Sequence, residues 1–126
     1  MNVATKVTGI GAYVPKNEID NDYVISLLTK KSKPYISKDS FEEFIKKTRD
    51  KLERVGSNTR YWCHEDEYCT DIAYHAARMA LDDAHVEPEQ IDLIIFTGMS
   101  KALVEPATAH ILSNALGTVN ANVLDT

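Results

Sequence analysis

The chain has 126 residues, 44% of them hydrophobic and 26% charged, the balance of an ordinary globular chain long enough to bury a core of its own. Its formal net charge is −5 and its pI about 5.3; this argues against a nucleic-acid binder, which needs a basic face for the phosphate backbone. The stretch from Lys30 to Lys51 is richer in lysine and arginine than the rest, and reads first as a solvated helix face, second as a surface for an acidic partner. Asn2 to Gly11 lacks the basic and apolar regions of a signal peptide. The longest strongly apolar run, Leu93-Ile94-Ile95-Phe96, is far too short to span a membrane. A cytoplasmic location is therefore expected. Two cysteines, Cys63 and Cys69, do not make a disulfide framework in such a chain.

No internal repeat or low-complexity block is visible. Val3 to Tyr13 is predicted as a strand, with Val3, Val7 and Ile10 among threonines and glycines, stopped by Pro15. Asp20 or Asn21 can cap a short helix through Leu28, because a side-chain oxygen there satisfies an orphan N–H. Lys30 to Asp39 is polar, contains Pro34, and is expected to be a loop. Ser40-Phe41-Glu42-Glu43 has the form of a capping box. The helix it opens should run to Arg54 or Val55, with Phe41, Phe44, Ile45 and Leu52 as its apolar stripe and Gly56 as its stop. Ser57 to Tyr68 reads as irregular.

From Cys69 or Thr70 to about Ala84 the spacing predicts a helix. Ala73, Ala76, Ala77, Ala80, Leu81 and Ala84 recur at three and four, and small residues on that face allow close approach to another element. Ile91 to Thr97, apolar without a break from Leu93 to Phe96, is predicted as a strand covered on both faces. Pro106 suits the first turn of a helix through Leu116, with Gly117 as its C-cap. Val119 to Leu124 is the last predicted strand. Strand, helices, strand, helix, strand is an order that points to an α/β sheet with parallel members. So few strands make a half-built layer whose surfaces call for a partner.

The chemistry-bearing residues are scattered. Gly9-Ile10-Gly11 lacks the third glycine and following helix of a dinucleotide loop, and reads as close packing or a bulge. The segment from Cys63 to Cys69 holds potential metal ligands. Its cysteines are spaced too widely for a paired zinc motif and no second pair exists, so no metal is expected. His64, His75, His85 and His110 form no defensible catalytic set. Glu105 differs: a carboxylate stands just ahead of a predicted helix and after a buried strand, where ligands of open α/β sheets gather. It is a candidate general base if an apolar pocket raises its pKa. The alternative is a favourable charge at a helix N-terminus.

Taken in order, these segments resemble the start of the β-ketoacyl synthase III group of thiolase-superfamily condensing enzymes. The resemblance is carried by Val7-Thr8-Gly9-Ile10-Gly11-Ala12-Tyr13-Val14-Pro15, by Asn21, and by the turn Arg54-Val55-Gly56-Ser57-Asn58-Thr59-Arg60. It continues through the alanine-rich stretch opened by Thr70-Asp71-Ile72-Ala73, the run Ile91-Asp92-Leu93-Ile94-Ile95, then Pro106-Ala107-Thr108-Ala109 through Leu116-Gly117, and Asp125. What it implies is an α/β fold: the N-terminal part of a thiolase-like fold, a mixed sheet with helices packed on its faces, incomplete without the rest of the enzyme. Residues 1–126 are then one N-terminal domain that stops before the catalytic cysteine.

The activity implied is a Claisen condensation of acyl-CoA or acyl-carrier-protein thioesters, with no cofactor besides the thioester substrate. The family's nucleophilic cysteine follows a few residues after the position of Asp125, and neither Cys63 nor Cys69 matches it, so this chain alone is expected to be inactive. Glu105-Pro106-Ala107-Thr108-Ala109 is similar to the olefin-pathway (OleA-like) branch, in which the matching glutamate crosses the dimer and acts as the base. Arg54 is the position implied for a CoA contact, with a structural role as the alternative. Ser57 replaces the family's isoleucine, and the tryptophan that stacks on the CoA adenine falls near Asp50. The family's dimer pairs the strand equivalent to Val119–Leu124 across a two-fold axis, so a homodimer, or pairing with a C-terminal thiolase half, is expected. Two other readings remain: a non-catalytic thiolase-like subunit that pairs with a catalytic chain, and a stand-alone α/β binding domain.

Overall fold

The structure is a computed structural model that describes residues 4–99 and 103–126. The chain divides into two compact units, one of Pro15–Trp62 and one that joins Met1–Val14 to Cys63–Thr126.

In the Pro15–Trp62 unit, β1 (Asn17–Asp20) pairs antiparallel with β2 (Thr59–Trp62), in the register Asn17 to Trp62 and Asp20 to Thr59. Between them run α1 (Asn21–Ser32) and α2 (Lys38–Arg54), which pack on each other. Asp20 caps α1 as expected, its Oδ1 accepting the Tyr23 N–H at 2.7 Å. The helix continues past Leu28 to Ser32. Lys30 and Lys31 fall in its last turn, where cations are favoured by the helix dipole, so the predicted loop shrinks. The capping box at Ser40 is not used: α2 begins at Lys38, and the Ser40 hydroxyl bonds the Ser37 hydroxyl at 3.0 Å. Phe41, Phe44, Ile45 and Leu52 are half-buried, as their spacing required. Among the described residues of this unit, Ile19 and Ile25 are buried. Part of the stretch from Ser57 to Tyr68, expected to be irregular, is the strand β2.

In the other unit, α3 (Cys69–Ala84) is the longest helix and follows its alanine spacing. The Asp71 carboxylate receives the Tyr68 N–H at 2.8 Å, and His85 ends the helix in a left-handed conformation, φ 53°. Next come β3 (Leu93–Phe96), α4 (Thr108–Leu116) and β4 (Asn122–Asp125). β3 and β4 are parallel, with Leu93 opposite Asn122 and Ile95 opposite Leu124. This is the strand–helix–strand alternation that the sequence predicts. Gly117 closes α4 at φ 79°.

Several expectations in this unit are corrected. Val3 lies outside the described residues, and residues 4–13 form no strand. Gly9 and Gly11 lie directly on the backbone of α3: a Cβ on Gly11 would overlap the Ala76 carbonyl oxygen, and one on Gly9 the Ala80 carbonyl oxygen. The Ile10 N–H donates to Asp83 Oδ2 at 3.0 Å. A backbone held against a helix in this way has its donor committed elsewhere than a ladder. β3 is not covered on both faces among the described residues. Ile94, Phe96 and Val123 are half-buried, while Leu93, Ile95 and Leu124 are each more than half exposed, because α4 packs on one side of a two-stranded sheet. Pro106 precedes α4 instead of lying in its first turn, and its peptide bond with Glu105 is cis. The last strand begins at Asn122, because Val119 and Ala121 make turn bonds to Gly117 and Thr118. The core of this unit is Leu81, Ala109 and Leu112 with the buried Thr108 and Thr118.

Candidate functional site

The region around Glu105 is built at the end of the parallel strands. Glu105 is exposed and lies three residues before the first residue of α4. The N-cap position of α4 is Ala107, which has no side-chain oxygen to offer the helix. That place is taken from across the fold. At the C-terminal end of β4, Asp125 accepts the Thr108 N–H on Oδ2 at 2.9 Å and the Ala109 N–H on Oδ1 at 2.7 Å. Thr108 and Ala109 are both fully buried with the carboxylate in place. The Thr108 Oγ1 has no hydrogen-bond partner among the described residues. The Thr126 N–H donates to the Phe96 carbonyl at 3.0 Å, and the hydroxyls of Thr97 and Thr126 meet at 2.9 Å, which continues the β3–β4 pairing one residue further. The sequence read Asp125 only as part of a resemblance; its bond to α4 spans 16 and 17 positions and leaves no local signal.

Arg54 belongs to the other unit, as the exposed last residue of α2. The better-anchored arginine of that turn is Arg60. Its Nη2 donates to Asn21 Oδ1 at 2.7 Å and to the Ser57 carbonyl and hydroxyl, each at 3.0 Å. Two residues that carry the resemblance, Asn21 and Arg60, are thus in direct contact.

The stretch from Cys63 to Cys69 forms a polar loop leading into α3. His64 Nδ1 lies 2.7 Å from Asp66 Oδ1, and that hydrogen bond raises the imidazole pKa above its ordinary value and lowers the carboxyl's. Tyr13 donates its hydroxyl to Glu67 at 2.8 Å and stacks on His75 with ring centroids 4.8 Å apart. The bond to Glu67, with burial behind it, raises the phenol pKa. Both cysteines are free. Among the described residues no three His, Cys, Asp or Glu side chains converge on a common point, and no helix is long and apolar enough to cross a membrane. An apolar crevice of about 350 Å³ opens between Gly9, Ala80, Ala84, Leu93 and Leu112. Glu105 does not line it, so it offers that carboxylate no desolvated pocket.

Comparison with known proteins gives this geometry a context. No family model matches the chain. The β-ketoacyl-[acyl-carrier-protein] synthase III of Staphylococcus epidermidis is 34% identical over 126 residues, which is 99% of this chain and 34% of that protein. Its counterpart from Staphylococcus aureus strain Newman is also 34% identical, over 125 residues and the same shares. Among solved structures, the 3-oxoacyl-[acyl-carrier-protein] synthase III of Aquifex aeolicus superposes with a TM-score of 0.72 at 25% identity, covering 98% of this chain and 34% of its own. Cerulenin-bound OleA of Xanthomonas campestris gives 0.71 at 26%, covering 95% and 33%. The priming β-ketosynthase of the R1128 polyketide pathway shares the fold at 23% identity, with a TM-score of 0.72.

The fold is therefore that of the thiolase-like condensing enzymes, and the chain carries a part of it. Within that class, the ketoacyl synthase III-type proteins are those the chain is similar to in sequence and in structure, as the order of its segments implied. It spans about a third of the length of the relatives it matches.

Proposed function

We propose that the chain is the N-terminal portion of an acyl-thioester condensing enzyme, an acyltransferase of the 3-oxoacyl synthase III type that works in the cytoplasm on fatty-acid, polyketide or olefin precursors. The observation that carries this reading is the similarity over 99% of the chain to synthase III proteins three times as long. The substrates are acyl-CoA or acyl-carrier-protein thioesters, and no further cofactor takes part.

The reaction begins with transfer of an acyl group from its thioester to a cysteine thiolate that none of these 126 residues supplies. In the reading proposed here, the Glu105 carboxylate then removes the α-proton of a second acyl thioester. The resulting carbanion attacks the enzyme-bound acyl carbonyl; a carbon–carbon bond forms, the carbon–sulfur bond breaks, and the cysteine leaves as a thiolate. General-base catalysis contributes roughly 100- to 10,000-fold, so Glu105→Gln should slow condensation by about that much while acyl transfer to the cysteine proceeds. Arg54 is a candidate CoA contact at the end of α2. Equal loss of both half-reactions in Glu105→Gln would remove Glu105 from the role of base.

A second reading is a non-catalytic thiolase-like subunit paired with a catalytic chain. It is favoured by the open sheet face of Leu93, Ile95 and Leu124, an apolar surface of the kind that proteins cover with a partner. A homodimer would answer the same need. Purification from the native host with intact-mass measurement separates the two readings. A single chain of synthase length supports the first, and a 14.1 kDa chain bound to a cysteine-bearing partner supports the second.

A further inference from the structure

We propose that Asp125 is a positioning residue for Glu105, an inference that rests on the reading of Glu105 as the base. The connection from Leu103 to Ala107 has neither helix nor strand of its own. What fixes its downstream end is the start of α4. That start is held by the Asp125 carboxylate, through one oxygen on the Thr108 N–H and the other on the Ala109 N–H. Three features make this hold firm. The acceptor is charged and sits at the positive end of a helix dipole. Both donors are completely buried, so breaking the bonds strands two N–H groups away from water. The carboxylate itself is carried by β4, which is paired along its length with β3, so the anchor is a rigid element and not another loop. The placement of Glu105 is thereby tied to the end of the parallel sheet, by a residue far from it in sequence that needs no contact with substrate.

Asp125→Asn keeps the shape and one carbonyl oxygen but loses the charge and one acceptor; Asp125→Ala loses both. In the 126-residue chain, amide hydrogen exchange at Thr108 and Ala109 should accelerate by about tenfold in Asp125→Asn and by more in Asp125→Ala. Backbone ¹⁵N relaxation should show larger motion at Glu105, while amides of α3 stay within about twofold of the parent. Unchanged exchange at Thr108 and Ala109, or an equal rise throughout α3 and α4, would overturn the proposal.

A second readout uses the condensing protein that contains this chain. Asp125→Asn should slow α-proton exchange from the second acyl-CoA while leaving acyl loading of the cysteine intact, which a general loss of structure would not do. If loading and proton exchange fall together, the positioning role is wrong. If Glu105→Gln itself leaves proton exchange unchanged, the base assignment fails instead, and the amide measurement still decides whether Asp125 holds this segment.

Discussion

Arg60 and Asn21 lie 39 positions apart in sequence, and the Arg60 guanidinium donates to the Asn21 side-chain oxygen at 2.7 Å. The contact ties β2 to the first residue of α1, and the same nitrogen also holds the Ser57 carbonyl and hydroxyl. A hydrogen bond involving a charged group contributes about 1.5–3 kcal/mol. Arg60→Ala should therefore destabilise the Pro15–Trp62 unit by about that much, with the added penalty of an Asn21 acceptor left behind. Arg60→Lys should not restore it, because the lysine ammonium ends one bond short of the Nη2 position from which all three acceptors are held. Chemical denaturation followed at Trp62, which sits in β2, checks both variants.

Gly11→Ala places a methyl group on the Ala76 carbonyl and within 2.9 Å of the Met79 Cβ. Neither neighbour is the free end of a flexible side chain. Overpacking of this sort costs about 1–3 kcal/mol, and the midpoint of thermal unfolding should drop accordingly. A variant as stable as the parent would mean that residues 4–13 do not lie on α3.

The His64–Asp66 pair has a defined pH window. The imidazole pKa is raised and the carboxyl pKa lowered, each chiefly by their shared hydrogen bond. The stabilisation from His64 is complete below its ordinary pKa near 6.5 and disappears as pH rises through the raised value. That from Asp66 is complete above its ordinary value of 3.8 and disappears as pH falls through the lowered one. Titration of His64 by NMR should give a midpoint above 6.5 that Asp66→Asn returns toward 6.5.

Tyr13 provides a test at the alkaline end. Its hydroxyl donates to Glu67, and that bond raises its pKa above 10.0. The contribution to stability is therefore intact at neutral pH and is lost as pH climbs through the raised value. Glu67→Gln should lower the Tyr13 midpoint, read from the ring carbon resonances; an unmoved midpoint would place Tyr13 away from Glu67.

The parts of the fold legible in the sequence are those whose signal is local. α3 follows from alanines spaced at three and four, and the end of α4 from a glycine that accepts φ 79°. β2 escaped notice because Thr59-Arg60-Tyr61-Trp62 is four residues long and its sheet partner lies beyond two intervening helices. The segment from residue 4 to residue 13 has a strand's composition. Its donor at Ile10 is claimed by Asp83 and its glycines by the backbone of α3, which are tertiary facts with no trace in spacing. Glu105 was visible as a carboxylate ahead of a helix. The carboxylate that holds that helix, Asp125, arrives from the next strand and could be found only once β4 was laid beside β3.

Acyl trapping is the most direct test of the central claim. The protein is isolated from its own host with whatever remains bound to it, incubated with a long-chain acyl-CoA, and digested for mass analysis. The expected result is an acyl adduct on a cysteine outside these 126 residues, on the same polypeptide or on a copurifying one, with Cys63 and Cys69 unmodified. A preparation that contains only the 14.1 kDa chain and takes up no acyl group would contradict it.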